Sequence, residues 1–433
     1  MDDDRIPLTA RRNASQGYRR LPEPPVSEHK DLVVVLRCPP GAQRTTIIMW
    51  GKKLQEPRTG MHTVELAKGR ADLTAQCAQL IAEWQRFVDY EPSTTERRTR
   101  EAPYTHVADL SGRPDGEVEE NVAELAWHGA RFLTRLLEGH GRVASFRDQL
   151  LALLRHQDLR IRFDSDVAIP WQMLALPSGP ETADPPREGD AFHRFLGHRH
   201  QIETTSPDTY DMAYWYEGIR SEHVSSINAN ESLMEKVPKA KDLADLLARR
   251  TRVTERFTRA QLLKDLRKPV LDEDIMYFFC HGGYEFQGGH SWHSLRLSDP
   301  APLDPDHIDG YRSQFTESAQ DSPVIFHPLV LLNVCSSGAP GNDGSLRFAS
   351  VFVKHGAVGV LAPHISMPQN FGAEFALKFL EHYVVERRRA GEAAQNCVHW
   401  FAKTYRNPLA LAYSLCCGLD TRLPATTEEA STA

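Results

Sequence analysis

Two short stretches carry the residue types of nucleophilic catalysis. One is Tyr277-Phe278-Phe279-Cys280-His281-Gly282-Gly283, the other Leu331-Leu332-Asn333-Val334-Cys335-Ser336-Ser337-Gly338. Each starts as an apolar run of strand length and ends in small or polar residues. A cysteine attacks as its thiolate, and an imidazole beside it withdraws the thiol proton or pairs with the thiolate. Glycines after the histidine let a backbone N–H approach a reacting carbonyl, which is part of an oxyanion hole. Working residues in open α/β sheets collect beyond the carboxyl ends of strands. His281 and Cys335 are therefore the candidate pair, in that order and 54 positions apart.

Each feature also has a plainer explanation. A lone cysteine on an apolar strand is usually a small core residue, so the weight rests on the pair. Cys280 precedes His281 and faces the other side of its strand, as a buried neighbour. His281, His290 and His293 invite a metal, but Gly288 to His293 looks like a flexible loop, and no acidic or cysteine ligand stands at helical or hairpin spacing. Cys416-Cys417 is a strand pair pointing opposite ways. Arg387-Arg388-Arg389 ends a long helix, where cations complement the helix dipole and face solvent. The phosphate-loop pattern is absent, so nucleotide hydrolysis has no support. No metal or organic cofactor is implied.

The elements that must position the pair alternate. Asp31 to Cys38 and Thr45 to Trp50 read as a hairpin around Pro39-Pro40-Gly41. Leu73 to Val88 and Val118 to Leu137 have helical apolar spacing. Leu159 to Phe163, Val167 to Leu174, Val224 to Asn228, Ile275 to Cys280, Pro328 to Val334, Ala357 to Ala362 and Leu409 to Cys416 are strand-like. Helices are expected over Ala240 to Arg250, Leu346 to His355, Phe371 to Arg388 and Glu392 to Lys403. Buried apolar strands alternating with amphipathic helices predict an α/β fold, a mostly parallel sheet with helices on both faces. A small N-terminal α+β unit is expected at 31–90, with a polar, proline-containing linker at 91–117 and the larger domain at 118–423. Residues 1–30 and 424–433 read as mobile tails. No fixed-period repeat is visible.

Composition bounds the function. The 433 residues are 41% hydrophobic and 25% charged, ordinary for globular chains. No stretch approaches the roughly 18 apolar residues of a membrane helix. The polar start Met1-Asp2-Asp3-Asp4-Arg5 excludes a signal peptide. The net charge of −7 argues against direct nucleic-acid binding. Seven cysteines without paired C-x-x-C spacing indicate neither a disulfide framework nor a zinc site. The expectation is a soluble, reduced, cytoplasmic protein.

At the two strand ends the chain resembles the CHAT-domain family, the bacterial branch of the caspase-like cysteine peptidases, whose clan also holds separase, gingipain and legumain. The family pattern is a strand ending in His-Gly, then one ending in Asn-x-Cys; the interval is about 50 residues in caspases. Ala168-Ile169-Pro170-Trp171-Gln172-Met173-Leu174 resembles the family's upstream I-P-W-E-x-L segment, with Gln172 in place of Glu. Gly356 to Ala362 resembles the strand after the cysteine, and Pro408 to Gly418 the terminal strand. The resemblance runs over roughly 118 to 422. Pro363-His364-Ile365-Ser366 departs from an aromatic-containing segment often found there, and Asn333-Val334-Cys335 from the Gln-Ala-Cys of caspases, so cleavage after Asp is not carried over.

The resemblance implies a caspase-like fold and a cysteine endopeptidase acting on a protein substrate. Cys335 attacks the peptide carbonyl, His281 manages the protons, and the N–H groups of Gly282 and Cys335 hold the oxyanion. Asn333, Pro363, His364 and Ser366 line the substrate pocket, and Glu231 is the candidate acid selecting Arg or Lys. It further implies a role in bacterial stress or antiviral defence, with the N-terminal unit as sensor or adaptor for an activating or regulatory protein partner. The alternatives are a catalytically silent interaction scaffold on the same fold, and acyl transfer on small molecules. The presence of both reactive residues favours the enzyme.

Overall fold

Runs such as Leu329-Val330-Leu331-Leu332 are apolar at successive positions, so a strand made of them must be covered on both faces. The computed structural model describes residues 30–54, 62–89, 104, 107–177, 191–206, 221–287, 290–318, 325–336, 344–424 and 426. The tails expected at 1–30 and 424–433, apart from 30, 424 and 426, lie outside the described residues, as does most of the linker before 107.

The chain opens with β1 (Leu32–Arg37), β2 (Thr45–Trp50), β3 (His62–Leu66), α1 (Arg70–Val88), α2 (Asp115–Leu136) and α3 (Arg142–Leu154). Next come β4 (Arg160–Ser165), α4 (Leu196–Arg199), β5 (Gln201–Thr205), β6 (Val224–Ala229), α5 (Glu231–Lys236) and α6 (Pro238–Arg250). They are followed by β7 (Arg252–Arg256), α7 (Arg259–Leu266), β8 (Val270–Leu271), β9 (Ile275–Gln287), β10 (His290–Arg296) and α8 (Pro305–Ser318). The last group is β11 (Ile325–Phe326), β12 (Leu329–Ser336), α9 (Gly344–Lys354), β13 (Gly359–Pro363), α10 (Gln369–Leu380), α11 (Ala390–Trp400) and β14 (Tyr413–Cys416).

Among the described residues one sheet of twelve strands runs β3-β2-β1-β4-β5-β14-β13-β12-β9-β6-β7, with β10 alongside β9. β13, β12, β9, β6 and β7 are mutually parallel. So are β14, β5, β4 and β1. The two blocks meet antiparallel at β13 and β14. One face carries a core built from Ile227, Ile275, Tyr277, Phe279, Leu329 and Leu331 under α6 and α10. The other carries Met276, Phe278, Cys280, Val330, Leu332 and Val334 under α7, α8 and α9. This is the α/β architecture expected, mostly parallel with helices on both faces. Among the described residues no helix is long and apolar enough to cross a membrane.

Several boundaries differ from the sequence expectation. The hairpin of β1 and β2 forms with Arg37 opposite Thr46, yet β1 also pairs in parallel with β4 from Leu32↔Ile161 to Leu36↔Ser165. Residues 31–90 thus extend the main sheet, because β1 is apolar on both faces and needs a second partner. Residues 167–174 are not a strand: Pro170 has no N–H for a ladder, and Trp171–Met173 forms a 3-10 turn with Trp171 stacked on Phe163 at 3.9 Å. The terminal strand is only β14, since Pro408–Ala412 is again a 3-10 turn. The helices expected to run to Arg388 and Lys403 finish as π-helical turns, Glu381–Val385 and Phe401–Tyr405.

A buried ionic cluster fastens the first strand to the last turn. Lys30 Nζ lies 2.6 Å from Asp420 and 3.3 Å from Glu203. Arg162 Nε donates to Glu203 at 2.7 Å, and the Leu419 N–H donates to the same carboxylate at 2.9 Å. Burial, partly offset by Glu203, lowers the Lys30 pKa to about 8. The unfolded chain holds that proton up to about 10.4, so this group's contribution to stability rises between about pH 8 and 10.4. In urea titrations, the stability of the wild type relative to Lys30→Met should improve from pH 7 to pH 10; an unchanged difference would mean the ammonium is not desolvated.

A second prediction concerns α2. A Cβ on Gly129 would come within 2.5 Å of Met173 O and 2.9 Å of Ala175 N, both backbone atoms. Gly129→Ala should therefore destabilise by about 1–3 kcal/mol, despite alanine's helix preference of about 1 kcal/mol. A variant as stable as the wild type would show that α2 does not approach that segment so closely.

Candidate active site

β9 and β12 pair over eight registered positions, from Leu329↔Ile275 to Cys335↔His281 and Ser336↔Gly282. His281 and Cys335 are thus direct neighbours on adjacent parallel strands, about 4.8 Å apart in the pairing direction. Alternation assigns faces along β9: Ile275, Tyr277 and Phe279 lie in the first core, so position 281 continues that face. His281 is exposed.

The row extends one strand further. β10 pairs antiparallel with β9, placing Arg296 opposite His281. Arg296 is exposed. Sequence reading missed it, having taken Gly288 to His293 as a loop, whereas His290 to His293 begin β10. Cys280 and His293 belong to the opposite face. Cys280 is in the second core, and His293 is buried against Phe348 with its pKa lowered to about 4 by burial. A metal shared by His281 and His293 is not formed, and among the described residues no group of three His, Cys, Asp or Glu is placed to hold one.

The strand expected to end at Cys280 runs on to Gln287, taking Gly282 and Gly283 with it. They lie inside β9, with Gly282 opposite both Ser336 of β12 and Leu295 of β10. A residue in a middle strand directs its N–H to one neighbour or the other. The Gly282 N–H is therefore within the sheet in this arrangement, not in an open turn.

Asn333, expected in the pocket, is 4% exposed, and its amide is fully occupied. Nδ2 donates to Gly372 O at 2.5 Å and to Tyr277 Oη at 3.3 Å, while Oδ1 accepts from Tyr413 Oη at 2.6 Å. In this arrangement it braces the strand from inside. Tyr277 and Tyr413 were missed because buried tyrosines read as core; a polar Asn within an apolar strand was the available signal that partners must exist.

The segment after β13 borders the row on its other side. Pro363 is buried opposite Tyr413. His364 Nε2 lies 2.6 Å from Ser414 Oγ, which donates to Gln172 Oε1 at 2.6 Å, so Nε2 carries the imidazole proton. Gln172, standing where the family usually has Glu, thus ends a hydrogen-bonded chain. The Ser366 N–H donates to Gln85 Oε1 of α1 at 3.1 Å, tying this segment to the N-terminal helix. On the far side, Asn230 follows β6 and its N–H bonds Phe279 O at 2.9 Å. Glu231, exposed, opens α5 there with its N–H on Ser298 Oγ at 2.9 Å. The topology thus sets 281 and 282 inside β9 beside 335 and 336 at the end of β12, with 231 just after β6, 363 at the end of β13 and 364–366 following it.

Burial lowers the His364 pKa to about 4. The unfolded residue titrates near 6.5, so stability held at neutral pH is lost as the pH falls from about 6.5 to about 4. The stability of His364→Gln should decline less than that of the wild type between pH 7 and pH 4.5 in urea titrations. Equal declines would mean that His364 protonates freely within the fold.

No protein-family model matches the sequence, and no curated protein matches it. In fold the chain is similar to separase in two crystal structures of the Saccharomyces cerevisiae separase–securin complex. The TM-scores are 0.45 and 0.46 at 11% identity, covering 89% of this chain and 30% of the other. The chain therefore spans under a third of the length of those separase chains.

Proposed function

We propose that the protein is a caspase-like cysteine endopeptidase that cuts a protein substrate through Cys335 and His281. The observation that carries this reading is the registered pairing of the two positions on adjacent parallel strands, with His281 exposed. His281 takes the thiol proton, and the Cys335 sulfur bonds to the peptide carbonyl carbon. The carbonyl π electrons move to oxygen; on collapse the C–N bond breaks, the amine leaves with the proton from His281, and a thioester remains. Water, deprotonated by His281, then releases the acid and the thiol. The N–H groups of Gly282 and Cys335 hold the oxyanion, which requires the β9 ladder to open at Gly282. That requirement suits an enzyme switched on by a partner, and the Gln85 contact with Ser366 gives α1 a route to the pocket segment. Pro363, His364 and Ser366 border the pocket, and Glu231 selects Lys or Arg. The setting in bacterial stress or antiviral defence follows from the sequence resemblance.

Proteome-wide N-terminal sequencing of cells expressing wild type beside Cys335→Ala, with genomic neighbours present, tests this. New termini should appear only with the wild type, and His281→Ala should lower their yield by about 10²–10⁴-fold. Glu231→Gln should weaken cleavage after Lys and Arg by about tenfold, the scale of one lost charged contact. Identical profiles from folded wild type and Cys335→Ala, with no labelling of Cys335 by a peptide electrophile, would leave the interaction scaffold as the better reading.

A further inference from the structure

We infer that Asn333 is a positioning residue, holding the end of β12 so that position 335 stays in register with His281. This rests on the reading of Cys335 and His281 as the reacting pair.

The sequence makes Asn333 anomalous. It interrupts Leu329-Val330-Leu331-Leu332 and Val334 in a strand buried on both faces, where an apolar residue would need no hydrogen bonds. An asparagine side chain has two donor hydrogens and a carbonyl acceptor. Both hydrogens are used, on Gly372 O of α10 and Tyr277 Oη of β9, and the carbonyl accepts from Tyr413 Oη of β14. One amide thus ties β12 to three other elements. One of these ties bears directly on the pair: Tyr277 lies on the strand that carries His281, while Asn333 is two residues before Cys335 on β12. The partners are themselves fixed. The Tyr413 ring stacks on Phe375 with centroids 3.8 Å apart, and Tyr277 stacks near Phe279 at 6.0 Å. Tyr413 reaches Asn333 across β13, so the brace spans the sheet immediately beneath the reactive row. Without it, β12 keeps its backbone ladder but loses the side-chain link that aligns its last residues with β9.

The test is the pH dependence of alkylation at Cys335 by iodoacetamide, followed by peptide mass spectrometry on the full chain. The other cysteines described, Cys38, Cys77, Cys280, Cys397, Cys416 and Cys417, are buried. The wild type should alkylate with a midpoint below the ordinary thiol value of about 8.5. In Asn333→Ala the midpoint should rise by about one unit, with about a tenfold slower reaction at pH 7. Tyr413→Phe, which removes only a hydroxyl, should shift it in the same direction by less. His281→Ala should raise the midpoint as well, and adding Asn333→Ala to it should change nothing further. If Asn333→Ala and Tyr413→Phe lower the melting temperature but leave the alkylation profile of the wild type, Asn333 is structural only and the inference falls. If Asn333→Ala does not fold, Tyr413→Phe decides alone. If wild type and His281→Ala share an ordinary thiol profile, no coupled pair exists, and both the peptidase reading and the positioning role are overturned.

Discussion

The pairing of β9 with β12 is the constraint on which the rest of the molecule depends. Its eight registered positions run from two leading aliphatic residues to the His281 and Cys335 positions without a break. Because side chains alternate across a strand, a slip of one residue would send one member of the pair to the opposite face. The register is held by burial: Ile275 to Cys280 are at most 1% exposed, so both faces of β9 must match their covering helices. Packing on two sides leaves no alternative register of similar energy.

The two faces divide the work. Beneath α7, α8 and α9 the sheet is covered by an apolar layer that includes Cys280 and is closed by Phe348 and Phe352. On the other face the apolar layer is interrupted by Asn333, which is hydrogen-bonded to Tyr277, Tyr413 and the Gly372 carbonyl. The candidate pair follows directly on this hydrogen-bonded group along β9 and β12, with His281 exposed.

The antiparallel seam between β13 and β14 has a comparable role at larger scale. It joins two parallel blocks pointing opposite ways, so the carboxyl end of β13 lies beside the start of β14. That brings His364 to Ser414, which in turn donates to Gln172 of the segment after β4. Through Ser366 and Gln85 it also brings the pocket segment against α1. A strand pair in the middle of the sheet and a helix far earlier in the chain are thereby joined to the segment that follows β13.

Much of this was legible in the residues themselves. Short apolar runs alternating with helical periods determined the α/β class, because a strand apolar on both faces must be covered twice. The paired endings Cys280-His281-Gly282 and Asn333-Val334-Cys335 marked the candidate site, because reactive side chains at the ends of buried runs can reach solvent. Other features required the tertiary structure. Periodicity shows that β1 is doubly apolar but not that β4 is its partner, so the N-terminal hairpin read as a separate unit. It shows that Asn333 is out of place but not that Tyr277, Gly372 and Tyr413 satisfy it. It cannot set Arg296 opposite His281, since that depends on where the hairpin after Gln287 turns. Local pattern follows from one residue and its neighbours along the chain; register and hydrogen-bond satisfaction follow from segments brought together only when the sheet closes its core.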